Sequence, residues 1–488
     1  MYLIGQIELG RIPGYENDSQ AREDDDSEPT GVEESVEATF RWSAKSFKPH
    51  HYFDYIVGTS TGGLSAIMLG RLEKDVDFAL AQYDTIGEIV FAHPRPSGSI
   101  STRLKVNRLV GLIRTKYSET RKKEAILSVI RNTIPRDKQS QMHEERLTLK
   151  HDEQRCKTFV VSYGSPEVAL KLATLFRSYE LPRERGKDNT DGPGDVPLWA
   201  AARATSAAPF YFEPLKLYGA EYIDGGIVAN NPALLAYEEM RRAHAMKPLQ
   251  IVSIGTGESR PAADYKKPAQ LGKWNIFKVL ADVATQSEDT HSKLEFRLKG
   301  VAPKVHYLRL NVENPELAKV QLDSWEPRSA KNGRGGHKTK DNITNLTKEY
   351  LKSPKVNSDL LDCAKRLVAV RRKRAESPEW ELYACRIAYF CKHPDCINSK
   401  HPTHHETRHL LREHVKKIHG FIVDDGSSDP VQCSVGPCCH TARRPLFRRS
   451  ESLEDFRDHL NRIHGISRAS LKDPEEFENW LSSCRELK

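Results

Sequence analysis

Hydrophobic positions along this chain follow two alternating periods. Short β-branched and aromatic runs at 52–57, 157–163, 169–179, 221–223, 249–254 and 305–310 predict strands, most of them buried. Between them the apolar residues fall at helical spacing, as with Val76, Leu80, Tyr83, Ile86, Ile89 and Val90. Further helices are predicted at 64–72, within 104–131, and at 197–206, 233–244, 274–296 and 360–374. The last has an apolar face of Leu361, Ala364, Leu367 and Val368, and its basic run at 371–374 reads as a solvated helix end. Strands alternating with helices predict an α/β fold with a mainly parallel sheet between helical layers. Residues 1–40, acidic over 16–37, predict a flexible arm. Residues 92–104, 183–194 and 328–342 read as loops.

Within this pattern one stretch carries chemistry. The 52–57 run ends in Gly58-Thr59-Ser60-Thr61-Gly62-Gly63, and an apolar helical run follows at once. Gly-x-Ser-x-Gly between strand and helix has the mechanics of a nucleophile elbow, with the serine at the apex of a strained turn. The flanking glycines let strand and helix approach closely. The Thr61 amide, at the helix start, can donate to a developing oxyanion. A serine needs a base, and no histidine between 94 and 306 sits at a convincing strand end. Asp224 does, in Asp224-Gly225-Gly226, although Asp-Gly-Gly is also a common turn. Gly255-Thr256-Gly257 lacks the Lys-Ser/Thr of a phosphate loop and reads as a strand-end turn.

Together the two motifs resemble the patatin-like phospholipase family, over about residues 45–375. Gly58-Thr59-Ser60-Thr61-Gly62-Gly63 is similar to its elbow and Asp224-Gly225-Gly226 to its aspartate motif; 201–212 and 252–257 add to the likeness. The resemblance implies a three-layer α/β fold at 41–376 and a Ser–Asp dyad, with Ser60 the nucleophile and Asp224 the base. It also implies lipid esters or phospholipids as substrates, met in transient contact with a membrane surface. The family carries an Asp-Gly-Gly-Gly-x-Arg-Gly loop that supplies most of its oxyanion hole, and residues 1–57 contain no such run. Loss of one oxyanion donor costs on the order of a hundred- to a thousandfold in rate. Two expectations follow: a segment upstream of this sequence supplies the loop, or the chain is a catalytically impaired scaffold that binds protein or nucleic acid.

Composition adds a second element. The 488 residues are 38% hydrophobic and 29% charged, with a formal net charge of +8, which is diagnostic of neither nucleic acid nor membrane. The start has no signal-peptide pattern and no apolar run spans a bilayer, so a cytoplasmic protein is expected. Of nine cysteines, Cys156 and Cys363 are isolated and predict buried thiols. Six others crowd with histidines into 385–466, which in a reducing compartment reads as metal binding. Cys391-x4-Cys396 precedes His414-x4-His419 by 17 residues, and Cys433-x4-Cys438 precedes His459-x4-His464 by 20. Histidines five apart stand about one and a third helical turns apart, and two thiolates with two imidazoles select tetrahedral Zn2+. The pair resembles C2H2 zinc fingers with long spacers, and His404, His405, His409, Cys439 and His440 are further donor candidates. Leu411 and Phe456 are expected in very small cores. Structural zinc, and a protein partner rather than a DNA groove, is the expectation for these modules, with 467–488 as a tail.

Overall fold

The first of two units is built outward from one strand. Lys157–Ser165 (β2) puts Phe159 and Val161 on one face, Val160 and Ser162 on the other, and all four are fully buried, as a strand covered on both faces requires. One edge of β2 pairs antiparallel with Ala173–Arg177 (β3) over residues 159–163. The other edge is shared. Its first half, from Lys157 to Val161, pairs in parallel with Tyr55–Thr59 (β1), and its second half, from Ser162, pairs antiparallel with Ala220–Asp224 (β5). Thus β1 and β5 approach end to end along one strand. Leu215–Leu217 (β4) completes the five-stranded sheet against β5.

The structure is a computed structural model. It describes residues 1–8, 47–92, 94–95, 115–134, 143–151, 155–165, 173–181, 195–209, 211–244, 247, 249–257, 274–299, 305–318, 320, 323–324, 337–375, 383, 387–397, 404–405, 408–419, 422–423, 430–432, 446–448, 458–459, 462–463, 471–472 and 474–487.

Helices cover both faces of the sheet. On one, Val160, Phe176 and Tyr222 pack with Thr61–Ala66 (α2), Val76–Phe91 (α3), Glu119–Arg131 (α4) and Leu198–Thr205 (α5). The α2 segment runs on into a π-helical turn, Ile67–Arg71. On the other face, Phe159, Val161 and Leu175 meet Gly226–Ala229 (α6) and Met240 of Ala233–His244 (α7). Leu249–Ile254 (β6) and Val305–Leu310 (β7) form a separate parallel pair, joined in sequence through Trp274–Lys299 (α8). His337–Leu351 (α9) and Pro354–Arg374 (α10) follow.

Four expectations change. The five-stranded sheet is mixed, its one parallel pair among the described residues being β1–β2, because β5 enters antiparallel to meet β1. β6 is only partly buried, and Ile254 is 77% exposed. The loop expected at 328–342 is helical from His337. The flexible arm begins in structure: Tyr2–Glu8 (α1) buries Ile4 and Ile7, and its Glu8 carboxylate takes the buried Arg371 guanidinium at 2.8 Å and the Tyr52 hydroxyl at 2.9 Å. Arg371 is therefore an anchor rather than a solvated end. Residues 9–40 of the expected arm lie outside the described residues.

The second unit begins after Arg371. Ile387–Phe390 (β8) lies between His404–His405 (β9) and Arg485–Leu487 (β10), antiparallel to both. Arg408–Ile418 (α11) and Pro474–Ser483 (α12) close a small core of Tyr389, Leu411, Val415, Phe477, Leu481 and Cys484. The stretch expected as a tail thus packs into this unit, where α12 buries Phe477 and Leu481 and β10 pairs with β8. Leu411 is in the core as expected; Phe456 lies outside the described residues.

Candidate active site and candidate metal centre

The site forms where β1 and β5 approach one another. Thr59 lies opposite Val161 and Asp224 opposite Ser162, so Ser60 and Asp224 reach the same level of β2 from opposite directions. Ser60 has φ 57 and ψ −126, a strained left-handed conformation for a residue with a side chain. Its Oγ donates to Asp224 Oδ2 at 2.6 Å, a short charge-assisted bond. The turn needs Gly58: a Cβ there would stand 2.0 Å from the Gly62 carbonyl oxygen. A Cβ on Gly63 would strike Thr205, whereas one on Gly62 would meet nothing within 4 Å, so close approach explains Gly58 and Gly63 but not Gly62. Gly225 has the same constraint, its Cβ falling 2.3 Å from the Val161 carbonyl oxygen.

Sequence reasoning missed two residues close to this geometry. Thr205, last in α5, accepts the Ser60 N–H at 3.1 Å through Oγ1 and donates to the Val161 carbonyl at 2.6 Å. Its signal was faint: a hydroxyl pair, Thr205-Ser206, ending an alanine run that also fits plain helix propensity. The second is Lys122, on a helix expected within 104–131. It is 5% exposed, donates to the Ser206 carbonyl, and stands 3.7 Å over the Phe212 ring. Asp224 is itself 5% exposed. Burial pushes its carboxyl above the ordinary aspartate range, opposed by the Ser60 hydroxyl, the Gly226 N–H at 2.7 Å and the Lys122 ammonium.

Beside the elbow, Leu64, Ile67, Met68, Ile86, Ile126 and Leu198 are among the residues lining a small apolar cavity of about 20 Å³. Phe212 packs elsewhere, with Val90, Tyr117 and Ala125, and Phe210 lies outside the described residues.

Residues 47–237 match the patatin-like phospholipase family. This patatin-like segment contains the elbow, Thr205 and the Asp224 motif. The chain is 28% identical over 321 residues to rabbit (Oryctolagus cuniculus) calcium-independent phospholipase A2-gamma, covering 63% of this chain and 37% of that one. It is 27% identical over 329 residues to Arabidopsis thaliana phospholipase A I, covering 58% and 24%. A rat (Rattus norvegicus) 85/88 kDa calcium-independent phospholipase A2 is 30% identical over 220 residues, covering 42% and 23%. The chain therefore spans well under half the length of each of these relatives.

In the second unit, Cys391, Cys396, His414 and His419 bring one donor atom each to within 4.8 Å of one another. Cys396 Sγ lies 3.3 Å from His414 Nε2 and 3.1 Å from His419 Nε2, and the two Nε2 atoms are 3.2 Å apart. A tetrahedral zinc with ordinary bond lengths has ligand–ligand edges of about 3.3–3.8 Å, so the donor set, at or slightly inside the short end of that range, fits that ion. The ring of His393 stacks on His419 at 3.8 Å and that of His405 lies 4.6 Å from His414. Of the other expected ligand set, Cys433, Cys438 and His464 lie outside the described residues, and His459 is on a described helical turn. Cys156 and Cys363 are buried thiols, as expected. Among the described residues no helix is long and apolar enough to cross a membrane.

Proposed function

We propose that this chain is a serine acyl hydrolase of lipid esters, phospholipids included, working through Ser60 and Asp224. The observation that carries the reading is the 2.6 Å bond from Ser60 Oγ to a buried Asp224 carboxylate, at a serine held in elbow geometry. The likeness to proteins named as phospholipases supports it. Ser60 Oγ attacks the ester carbonyl as its proton passes to Asp224 Oδ2. The tetrahedral oxyanion takes bonds from first-turn amides of α2, Thr61 and Gly62. Asp224 then protonates the departing alkoxide, leaving an acyl-enzyme. A water deprotonated by Asp224 releases the fatty acid and restores the dyad. The substrate is drawn from a membrane surface in transient contact.

Raising the Asp224 carboxyl suits this role, because a base closer to neutrality is the stronger proton acceptor. Activity requires the carboxylate, so it falls as pH drops through a folded value above the usual aspartate range. The test is hydrolysis of a p-nitrophenyl ester and of a phospholipid by the chain beside Ser60→Ala and Asp224→Asn. Release abolished in both variants supports the dyad. Release unchanged in Ser60→Ala sinks it.

For the second unit we propose one structural Zn2+ held by Cys391, Cys396, His414 and His419. The thiolates and imidazoles supply the donors and the ion ties β8 to α11. Metal analysis of purified protein beside Cys396→Ser tests this; equal zinc content in both would overturn it.

A further inference from the structure

Lys122 is a buried cation that the dyad mechanism does not use. Its ammonium binds the Ser206 carbonyl at the C-terminal end of α5, where the helix dipole favours positive charge. The peptides on either side of that carbonyl hold the dyad. Thr205 accepts the Ser60 N–H at 3.1 Å, and the Thr205 carbonyl accepts the Gly225 N–H at 3.4 Å. The Ala207 carbonyl accepts the Asp224 N–H at 3.0 Å. One turn, 205–207, therefore carries the backbone of both catalytic residues, and Lys122 is tied to its middle.

Several other charges on the elements around Lys122 are paired. On its own helix Glu119 pairs with Arg203 of α5, and Lys123 with Glu145. Arg131 pairs with Glu144, and Asp84 of α3 pairs with Lys340. Across the Phe212 cluster, Glu213 takes Arg95, and Asp323 takes Lys116 and the Tyr117 hydroxyl. Asp224 is the group whose charge acts on Lys122: burial lowers the lysine's proton affinity and the Asp224 carboxylate raises it again.

We propose that Lys122 is a positioning residue of the dyad: its ammonium fixes the 205–207 turn from which Ser60 and Asp224 are both held, and its charge offsets the burial of the Asp224 carboxylate. This rests on the dyad reading above. Removing the cation leaves Asp224 easier to protonate, so the acid limb of the pH–rate profile moves to higher pH.

The test compares Lys122→Met, Lys122→Gln and Lys122→Arg in the full chain. Lys122→Gln keeps a donor for the Ser206 carbonyl without the charge, and separates the two parts of the role if the Met variant folds poorly. With a p-nitrophenyl ester, Met and Gln are expected to move the acid limb up by about one pH unit. Met should also lower neutral-pH kcat/KM by roughly tenfold to a hundredfold, as loss of positioning does. Arg should keep the limb in place. The second readout needs no activity. A melting-temperature cycle with Asp224→Asn should show Lys122→Gln costing less in the Asn background at neutral pH, the difference vanishing once Asp224 is protonated. An unmoved limb with additive melting shifts overturns the proposal. A chain that hydrolyses no ester would sink the hydrolase reading, while the melting cycle would still decide the role of Lys122.

Discussion

Around Ser60 the geometry is set by residues that take no part in the reaction, whereas around Cys396 the atoms that converge are the proposed ligands themselves. Gly58 admits the turn, Thr205 and the 205–207 carbonyls hold the backbone, and β2 brings two chain ends to one level. All of this is fixed by a core on both faces of a five-stranded sheet. Among the described residues, the second unit has a core cluster of seven buried residues, with Cys391 among them. On the zinc proposal, the first site is a product of its fold and the second a condition of its fold. A large core can hold a strained serine and a buried carboxylate, and a small one would then gain its stability from the metal.

The contrast breaks most directly by removing the metal. A structural zinc contributes about 10–16 kcal/mol of apparent binding energy, so chelation or Cys396→Ser is expected to unfold the second unit. Amide exchange should lose protection in β8 and α11 while β2 keeps it. Protection in α11 that survives complete metal loss would end the comparison.

Next in size is the dyad. Ser60→Ala and Asp224→Asn are expected to lower ester hydrolysis on the order of 10³- to 10⁴-fold, with little change in melting temperature, since the fold holds the site and not the reverse. A large loss of stability in Ser60→Ala would contradict that.

A smaller effect tests how firmly the first unit is anchored. Glu8→Ala removes the carboxylate that the buried Arg371 guanidinium meets, and breaking a buried ion pair costs about 3–5 kcal/mol. Chemical denaturation should show it, and a cost below about 1 kcal/mol would mean that α1 is not part of this core.

The smallest contrast lies within the elbow. Gly58→Ala forces a methyl against the Gly62 carbonyl and is expected to cost about 1–3 kcal/mol, with hydrolysis reduced as the turn shifts. Gly62→Ala faces open space and should stay within about 0.5 kcal/mol. Equal costs would show that strain, not close approach, governs both positions.

Period and motif made much of the first unit legible. The helices at 76–91 and 233–244 and the strand at 305–310 fall where the apolar spacing puts them, because each buries one face that the period marks. The parallel sheet was over-read: alternation of strand and helix says nothing of the direction in which β5 meets β2. Arg371 was misread for a related reason. A basic run looks solvated until a carboxylate from 363 residues away covers it.

The sequence by itself determined that Ser60 stands at a strand–helix turn, that Asp224 opens a glycine turn, and that two cysteines and two histidines share a metal-ligand spacing. Those features are local, and backbone sterics and side-chain chemistry impose them wherever the segments lie. The tertiary structure alone decided that β1 and β5 approach each other along one edge of β2, that Thr205 holds the serine, and that Lys122 is buried beside the aspartate. These depend on contacts between residues far apart in the chain, and a lysine becomes a buried charge only when the core closes over it.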